Sequence, residues 1–165
     1  MRRGRSARSR GRERIEILIV CSAGGHLMQL RLLEPVWRDR QRLWVTHRRE
    51  DALSILADED VVFAYGPTTR NIPNLVRNLF LAWQVVRRTR PRVLLTTGAG
   101  VAVPFAWIAR LRGARVVYVE SLTRIEQPSL SCRLIAPVAN RIYAQWPELA
   151  QTLKGARYAG NVLGQ

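Results

Sequence analysis

The sequence predicts an α/β domain built on a doubly wound, Rossmann-like parallel sheet, and three observations predict it. Short apolar runs rich in β-branched residues alternate with longer stretches of helical periodicity. Two of those runs end in glycine-bearing turns that open a helix. Hydrophobic residues make up 47% of the 165, enough for the core of one domain and scarcely for two.

The first apolar run, residues 15–21, has the length and branching of a strand buried on both faces. Similar runs follow at 43–46, 61–65, 93–97 and 116–119, with helical stretches between them at 27–37, 51–57, 72–88 and 103–111. After Ser121 the pattern turns helical over 130–139, then gives a strand at 141–145 and a short helix from Pro147, whose missing N–H is harmless in a first turn. Residues 15–165 therefore read as a single domain. Ahead of it, residues 1–14 carry seven arginines against one glutamate, a composition too polar to fold and expected to be disordered. That tail lacks the apolar stretch of a signal peptide.

The net charge of +15 attracts nucleic acid, anionic lipid heads or phosphorylated substrates, and charge alone does not choose among them. The apolar runs fall well short of the ~18 to 20 residues that span a bilayer, which places the chain in or near the cytoplasm. Cys21 and Cys132 form no recognisable spacing and read as reduced, buried thiols.

In an open parallel sheet, ligands bind beyond the carboxyl ends of the strands, so function is sought in the loops after Cys21, Thr97 and Val119. The first, Ser22-Ala23-Gly24-Gly25-His26, lets backbone N–H groups approach an anion at a helix start, although a tight turn that binds nothing fits it too. It matches neither the dinucleotide fingerprint nor the Walker motif. The second, Thr97-Gly98-Ala99-Gly100, faces the same crevice. Glu120 and Ser121 end the next strand at the same edge, Glu120 as an exposed carboxylate or a site residue. His26, beside the first turn, could take a proton from a hydroxyl near neutral pH, or be structural. His47 reads as a solvated loop residue beside Arg48 and Arg49. Asp58-Glu59-Asp60 has a D-x-D form but lies on the edge opposite the glycine loops and reads as a solvated acidic turn. No set of residues makes a metal site.

The stretch 72–88 puts Ile72, Leu75, Val76, Leu79, Trp83 and Val86 on one face, the pattern of a helix packed on a sheet. Phe80 and Leu81 widen that stripe, and Arg77, Arg87, Arg88 and Arg90 flank it. This composition also suits a lipid surface, the preferred reading, with Leu79, Phe80, Trp83, Arg87 and Arg88 as its contacts and the arginine tail as a second one.

Taken together, Ser22 to His26 with Gln29-Leu30, Arg90-Pro91 ahead of Thr96-Thr97-Gly98-Ala99-Gly100, Val119-Glu120-Ser121 and Tyr143-Ala144-Gln145-Trp146-Pro147 carry a resemblance. The chain resembles the membrane-side subunits of the two-part N-acetylglucosaminyltransferase of dolichol-linked oligosaccharide synthesis, the asparagine-linked glycosylation protein fourteen family, and their bacterial capsule and exopolysaccharide counterparts. Ala23 stands where relatives often carry Ser or Gly, and Cys132 where Gly is common. The resemblance implies the N-terminal half of a GT-B glycosyltransferase. A separate small subunit, the C-terminal half, would bind the UDP-sugar, so that no cofactor or metal is needed here. It further implies an inverting transfer onto a lipid diphosphate-linked saccharide at the cytoplasmic face of a membrane, with peripheral attachment. The acceptor phosphates are expected near Ser22, Gly24, Gly25, Thr97, Gly98, Gly100 and Ser121, with His26 as general base and Glu120 in reserve or orienting the acceptor. A basic nucleic-acid-binding protein and a self-sufficient nucleotide-dependent enzyme are the rivals. The first lacks a recognition helix or an aromatic-studded sheet, and the second lacks its nucleotide signatures.

Overall fold

The computed structural model describes residues 14–68 and 71–164. The disorder expected of the arginine tail falls, apart from Arg14, outside the described residues.

Seven strands form one sheet: β1 (Ile17–Val20), β2 (Arg42–His47), β3 (Val61–Ala64), β4 (Val93–Thr96), β5 (Arg115–Val119), β6 (Arg141–Ala144) and β7 (Ala156–Tyr158). Their order is β3-β2-β1-β4-β5-β6-β7 and every neighbouring pair is parallel. Every residue of β1 is buried, as expected of a central strand covered on both faces. Its side chains alternate between two cores. Leu18 and Val20 join Val45, Val86, Phe105 and Ile135 on one face, while Ile17 and Ile19 join Leu27, Leu30, Trp37 and Trp44 on the other. The chain runs outward from β1 through β2 to β3 and then returns to the other side of β1 as β4. The loops after β1 and β4 therefore part in opposite directions and leave a crevice between them.

The helices are α1 (Gly25–Leu32), α2 (Glu34–Trp37), α3 (Glu50–Ile55), α4 (Ile72–Thr89), α5 (Ala102–Leu111), α6 (Leu130–Ile135) and α7 (Pro147–Thr152). The stretch expected as one helix over 27–37 is two, because Pro35 has no N–H to give the preceding turn and its ring crowds that turn's carbonyl. The helix expected over 130–139 likewise tightens into a 3-10 turn, Ala136–Val138, at Pro137. β7 was not anticipated: three residues after Gly155 are too few to show a period. The acidic turn is also less solvated than expected. Glu59 holds Arg42 through two hydrogen bonds of 2.8 and 2.7 Å and lies 3.5 Å from Arg31, and both guanidinium groups cover the Trp37 ring. Cys21 and Cys132 are free and buried, and burial pushes both thiols up to about 12.

α4 is the main correction to the expected packing. Its sheet-facing stripe is Asn74, Asn78, Ala82, Val85, Val86 and Thr89, small or polar residues, with only Val86 shared with the apolar face expected to pack. Ile72, Leu75, Val76, Leu79, Phe80 and Trp83 are exposed, Ile72 by 73% and Phe80 by 64%. Both stripes have helical spacing, so periodicity alone could not say which one turns inward. The asparagines decide it, because they clamp the segment after β3. Asn78 donates to the Tyr65 carbonyl and accepts from the Tyr65 N–H, both at 2.9 Å, and Asn74 donates to the Pro67 carbonyl at 2.9 Å.

Candidate active site

The carboxyl edge of the sheet gathers the three loops expected to carry function. In the first, Gly24 takes φ +79, which favours glycine, and turns the chain from β1 into α1. Its N–H does not lie open to an anion: it donates to Asp51 Oδ2 at 2.7 Å. Gly25, exposed, begins the helix, and Ser22 lies half-buried at its entrance.

In the second loop Gly98 is buried at φ +99. A Cβ there would be driven into the Tyr118 hydroxyl and come within 2.7 Å of Ser131 Oγ, so only glycine fits. The loop's own donors are spent internally. The Gly98 N–H donates to Thr96 Oγ1 at 2.8 Å, and the Ala99 N–H, at φ +69, donates to Ser131 Oγ at 3.2 Å. Gly100 is exposed and packs closely on Thr68.

Glu120 is not an exposed carboxylate but is fully buried at the end of β5. Its Oε1 accepts from the Ser121 N–H at 2.8 Å and from the Tyr118 hydroxyl at 3.2 Å. Its Oε2 accepts from the Ser129 N–H at 2.9 Å and from Ser129 Oγ at 3.1 Å. Four donors compensate the burial of this carboxylate and leave it little capacity for a substrate. Ser121 continues the third loop, its hydroxyl 3.0 Å from Thr123 Oγ1.

Helix α1 ties the loops together. The His26 carbonyl accepts from Thr97 Oγ1 at 3.2 Å, Gln29 donates to the Glu120 carbonyl at 2.7 Å, and Gln29 Oε1 accepts from the Leu122 N–H at 3.3 Å. The His26 ring sits at the head of α1 with Nδ1 buried and without a hydrogen-bond partner. Burial lowers its pKa below the ordinary histidine value, against the opposing pull of the Glu120 charge. The imidazole is thus neutral at pH 7, the form that can accept a proton.

Beside these loops opens a cleft of about 810 Å³, walled by Ser22, Ala23, Ala99 and Gly100 and by the ends of β2 and β3 from His47 to Arg49 and from Ala64 to Thr68. His47 is not a solvated loop residue. It ends β2 half-buried, its ring close against Gly66 and its Nε2 buried without a partner. Burial, then the nearby Arg49 charge, lowers its pKa. The sequence signal that could have found this wall is the His47-Arg48-Arg49 run directly after a strand at the ligand-binding edge. The expected lipid contacts Leu79, Phe80, Trp83, Arg87 and Arg88 are exposed on α4 and do not join the cleft. Among the described residues no group of three or more His, Cys, Asp or Glu side chains could hold a metal ion.

Comparison with known proteins bears on the family and the fold. Residues 65–162 match the family described as Oligosaccharide biosynthesis protein Alg14 like. A relative from Eremothecium gossypii named UDP-N-acetylglucosamine transferase subunit ALG14 is 33% identical, over 95% of this chain and 84% of its own length. The Homo sapiens protein of the same name is 26% identical, over 92% and 85%. Among solved structures, Acinetobacter baumannii MurG superposes with a TM-score of 0.68 at 15% identity, over 88% of this chain and 44% of that one. A Rickettsia bellii UDP-N-acetylglucosamine 2-epimerase does so with 0.69 at 11%, over 92% and 46%. The chain thus has the Rossmann-like fold of one half of a GT-B protein and spans less than half the length of these two structures. By the family match and by the yeast relative, the chain belongs to the Alg14-like family of oligosaccharide biosynthesis proteins.

Proposed function

We propose that this chain is the acceptor-binding subunit of a two-component inverting glycosyltransferase that moves N-acetylglucosamine from UDP-N-acetylglucosamine to a lipid diphosphate-linked saccharide. The observation that carries the reading is the carboxyl-edge cleft, walled in part by the Ser22-Ala23 turn that leads into the neutral His26, on a fold that matches one half of two-lobed proteins. The donor then binds mainly to a second, small subunit that supplies the other half.

In this reading the acceptor hydroxyl lies against His26, which takes its proton as the oxygen attacks the anomeric carbon from the face opposite the diphosphate. The carbon–oxygen bond to UDP breaks, UDP leaves with the electron pair, and the configuration inverts. No step is assigned to a metal. Because the Gly24, Gly98 and Ala99 donors are internally engaged, the acceptor phosphates are assigned to the exposed Gly25 and Gly100 with Ser22, rather than to the whole of both turns. Glu120 acts on the site by holding its loop, and His26 remains the base.

The outer face of α4 provides peripheral membrane contact, six large apolar side chains flanked by arginines. No helix among the described residues is long and apolar enough to cross a membrane. The test is co-expression with a donor-binding half-protein, followed by transfer from UDP-N-acetylglucosamine to a polyprenyl diphosphate-linked sugar. Transfer that requires both chains and yields the β-linked product supports the reading. A complex that retains or hydrolyses the donor without transfer to any such lipid overturns it.

A further inference from the structure

Five arginines surround a cavity of about 500 Å³ at the amino edge of the sheet, the edge opposite the cleft. Arg14, Arg90, Arg92, Arg112 and Arg115 line it with Val86, Pro91, Leu111 and Gly113, and no acidic residue is among them. The acid-paired arginines of the described chain, namely Arg31, Arg38, Arg40, Arg42 and Arg49, all lie elsewhere. Even Glu16, whose carbonyl accepts from the N–H groups of Arg92 and Val93, turns its carboxylate to Arg40 at 3.0 Å. Like charges gathered without a counter-charge repel one another and favour a bound anion.

The backbone gives an independent sign. Arg90 ends α4 at φ 45, ψ 59, the left-handed position where a helix usually places glycine. An arginine held there is strained relative to glycine, the kind of local cost that persists where the side chain serves a purpose. Pro91 follows it and is buried, and both residues line the cavity.

The position selects the ligand. α4, about 27 Å long, begins next to the carboxyl-edge cleft and ends at this cavity, and its exposed apolar stripe runs between the two. Leu111 at the cavity is 77% exposed, and Arg112 lies over the Trp83 ring at 5.4 Å, which joins the cavity to that stripe. We propose that the cavity binds the phosphate headgroup of an anionic membrane phospholipid, the arginines gripping its oxygens through paired N–H donors. This rests on the reading of α4 as the membrane-facing helix. A lipid held here would pin the far end of α4 and orient the acceptor cleft over the bilayer.

The test is flotation of the full chain with vesicles of phosphatidylcholine, with and without about a quarter of phosphatidylglycerol, at about 0.15 M salt. The pocket variant carries Arg90→Gly, Arg92→Gln and Arg115→Gln. A charge-matched control carries Arg133→Gln, Arg141→Gln and Arg157→Gln, which are exposed and lie outside the cavity. The pocket variant should bind phosphatidylglycerol vesicles about tenfold or more weakly, with the control much less affected and binding to neutral vesicles unchanged. Arg90→Gly alone should weaken anionic binding while its Tm stays level or rises, since glycine suits that backbone. Equal losses in pocket variant and control would mean a diffuse charge effect and overturn the site. Tight binding of inorganic pyrophosphate that the pocket variant alone loses, with its vesicle binding intact, would reassign the cavity to a soluble phosphate ligand. Wild-type protein that floats with neither vesicle would refute the membrane-facing reading of α4, and the lipid site with it.

Discussion

The end of β5 and the ends of β1 and β2 lie at the same edge of one sheet, yet they treat their polar groups in opposite ways. Around Glu120, both carboxylate oxygens, the Tyr118 hydroxyl and the Ser129 and Ser131 hydroxyls are joined by hydrogen bonds. At the other strands, His26 Nδ1 and His47 Nε2 are buried with no partner at all. Folded proteins rarely leave such atoms unpaired without a reason. Under the function proposed above, the difference separates a scaffold, whose bonding is complete before any substrate arrives, from a working surface with atoms left to meet one.

Replacing Glu120→Ala attacks the scaffold and should have the largest effect. It leaves the N–H groups of Ser121 and Ser129 and the Tyr118 hydroxyl without their acceptor, at a cost of about 4 kcal/mol in urea unfolding. A loss below about 1 kcal/mol would show that water takes over these bonds and that the network is not what holds the loop. His26→Ala attacks the working surface. In the reconstituted complex kcat should fall about 100-fold, a barrier increase of about 2.7 kcal/mol, while Tm falls by no more than the loss of the ring's one hydrogen bond, to the Thr97 backbone, since Nδ1 has no partner. Turnover at the wild-type rate would remove His26 as the base.

The glycines sharpen the same contrast. Gly98→Ala must keep φ +99 and push a methyl into Tyr118 and Ser131, and should cost about 2 kcal/mol. Gly25→Ala meets nothing within 4 Å and should fall within about 0.5 kcal/mol of wild type in the same unfolding measurement. Similar losses at the two sites would contradict the geometry drawn for the loops.

The smallest expected effect is that of pH. Both histidines have folded pKa values below the ordinary 6.5, so the unfolded chain binds protons that the folded chain does not as pH falls past that value. Stability is therefore present above about pH 6.5 and declines below it, and Tm should drop modestly between about pH 7.5 and 5.5. Replacing both by glutamine should flatten that slope. For His26 the same shift keeps the base neutral, so activity should hold down to about pH 6.5 before its acid limb begins.

Much of this was legible in the sequence. Long apolar runs such as that of β1 announce themselves, and adjacent glycines after a strand mark a turn at the ligand edge whatever surrounds them. Glu120 was legible as a position but not as a state. Its burial depends on Ser129, nine residues on, folding back across the strand end, a tertiary event with no local signature. α4 shows a different limit. Its Leu75–Leu79–Trp83 stripe and its Asn74–Asn78–Ala82 stripe are equally periodic, and only the need of the Tyr65 and Pro67 backbone for partners turns the second inward. The Gly24 turn had the form of an anion cradle and is one, but the anion at its N–H is the carboxylate of Asp51, supplied from the chain itself.

The short helix α1 touches, through His26 and Gln29, loops that come more than seventy and ninety residues later. A rim built this way cannot flex one loop at a time: bending any of the three strains the helix and, through it, the other two. If the acceptor binds at this edge as proposed, its entry is a question of fit to a preformed mouth and not of waiting for a loop to settle. The arrival rate should follow diffusion and membrane orientation, and faults in the rim should appear as faster departure of the bound acceptor.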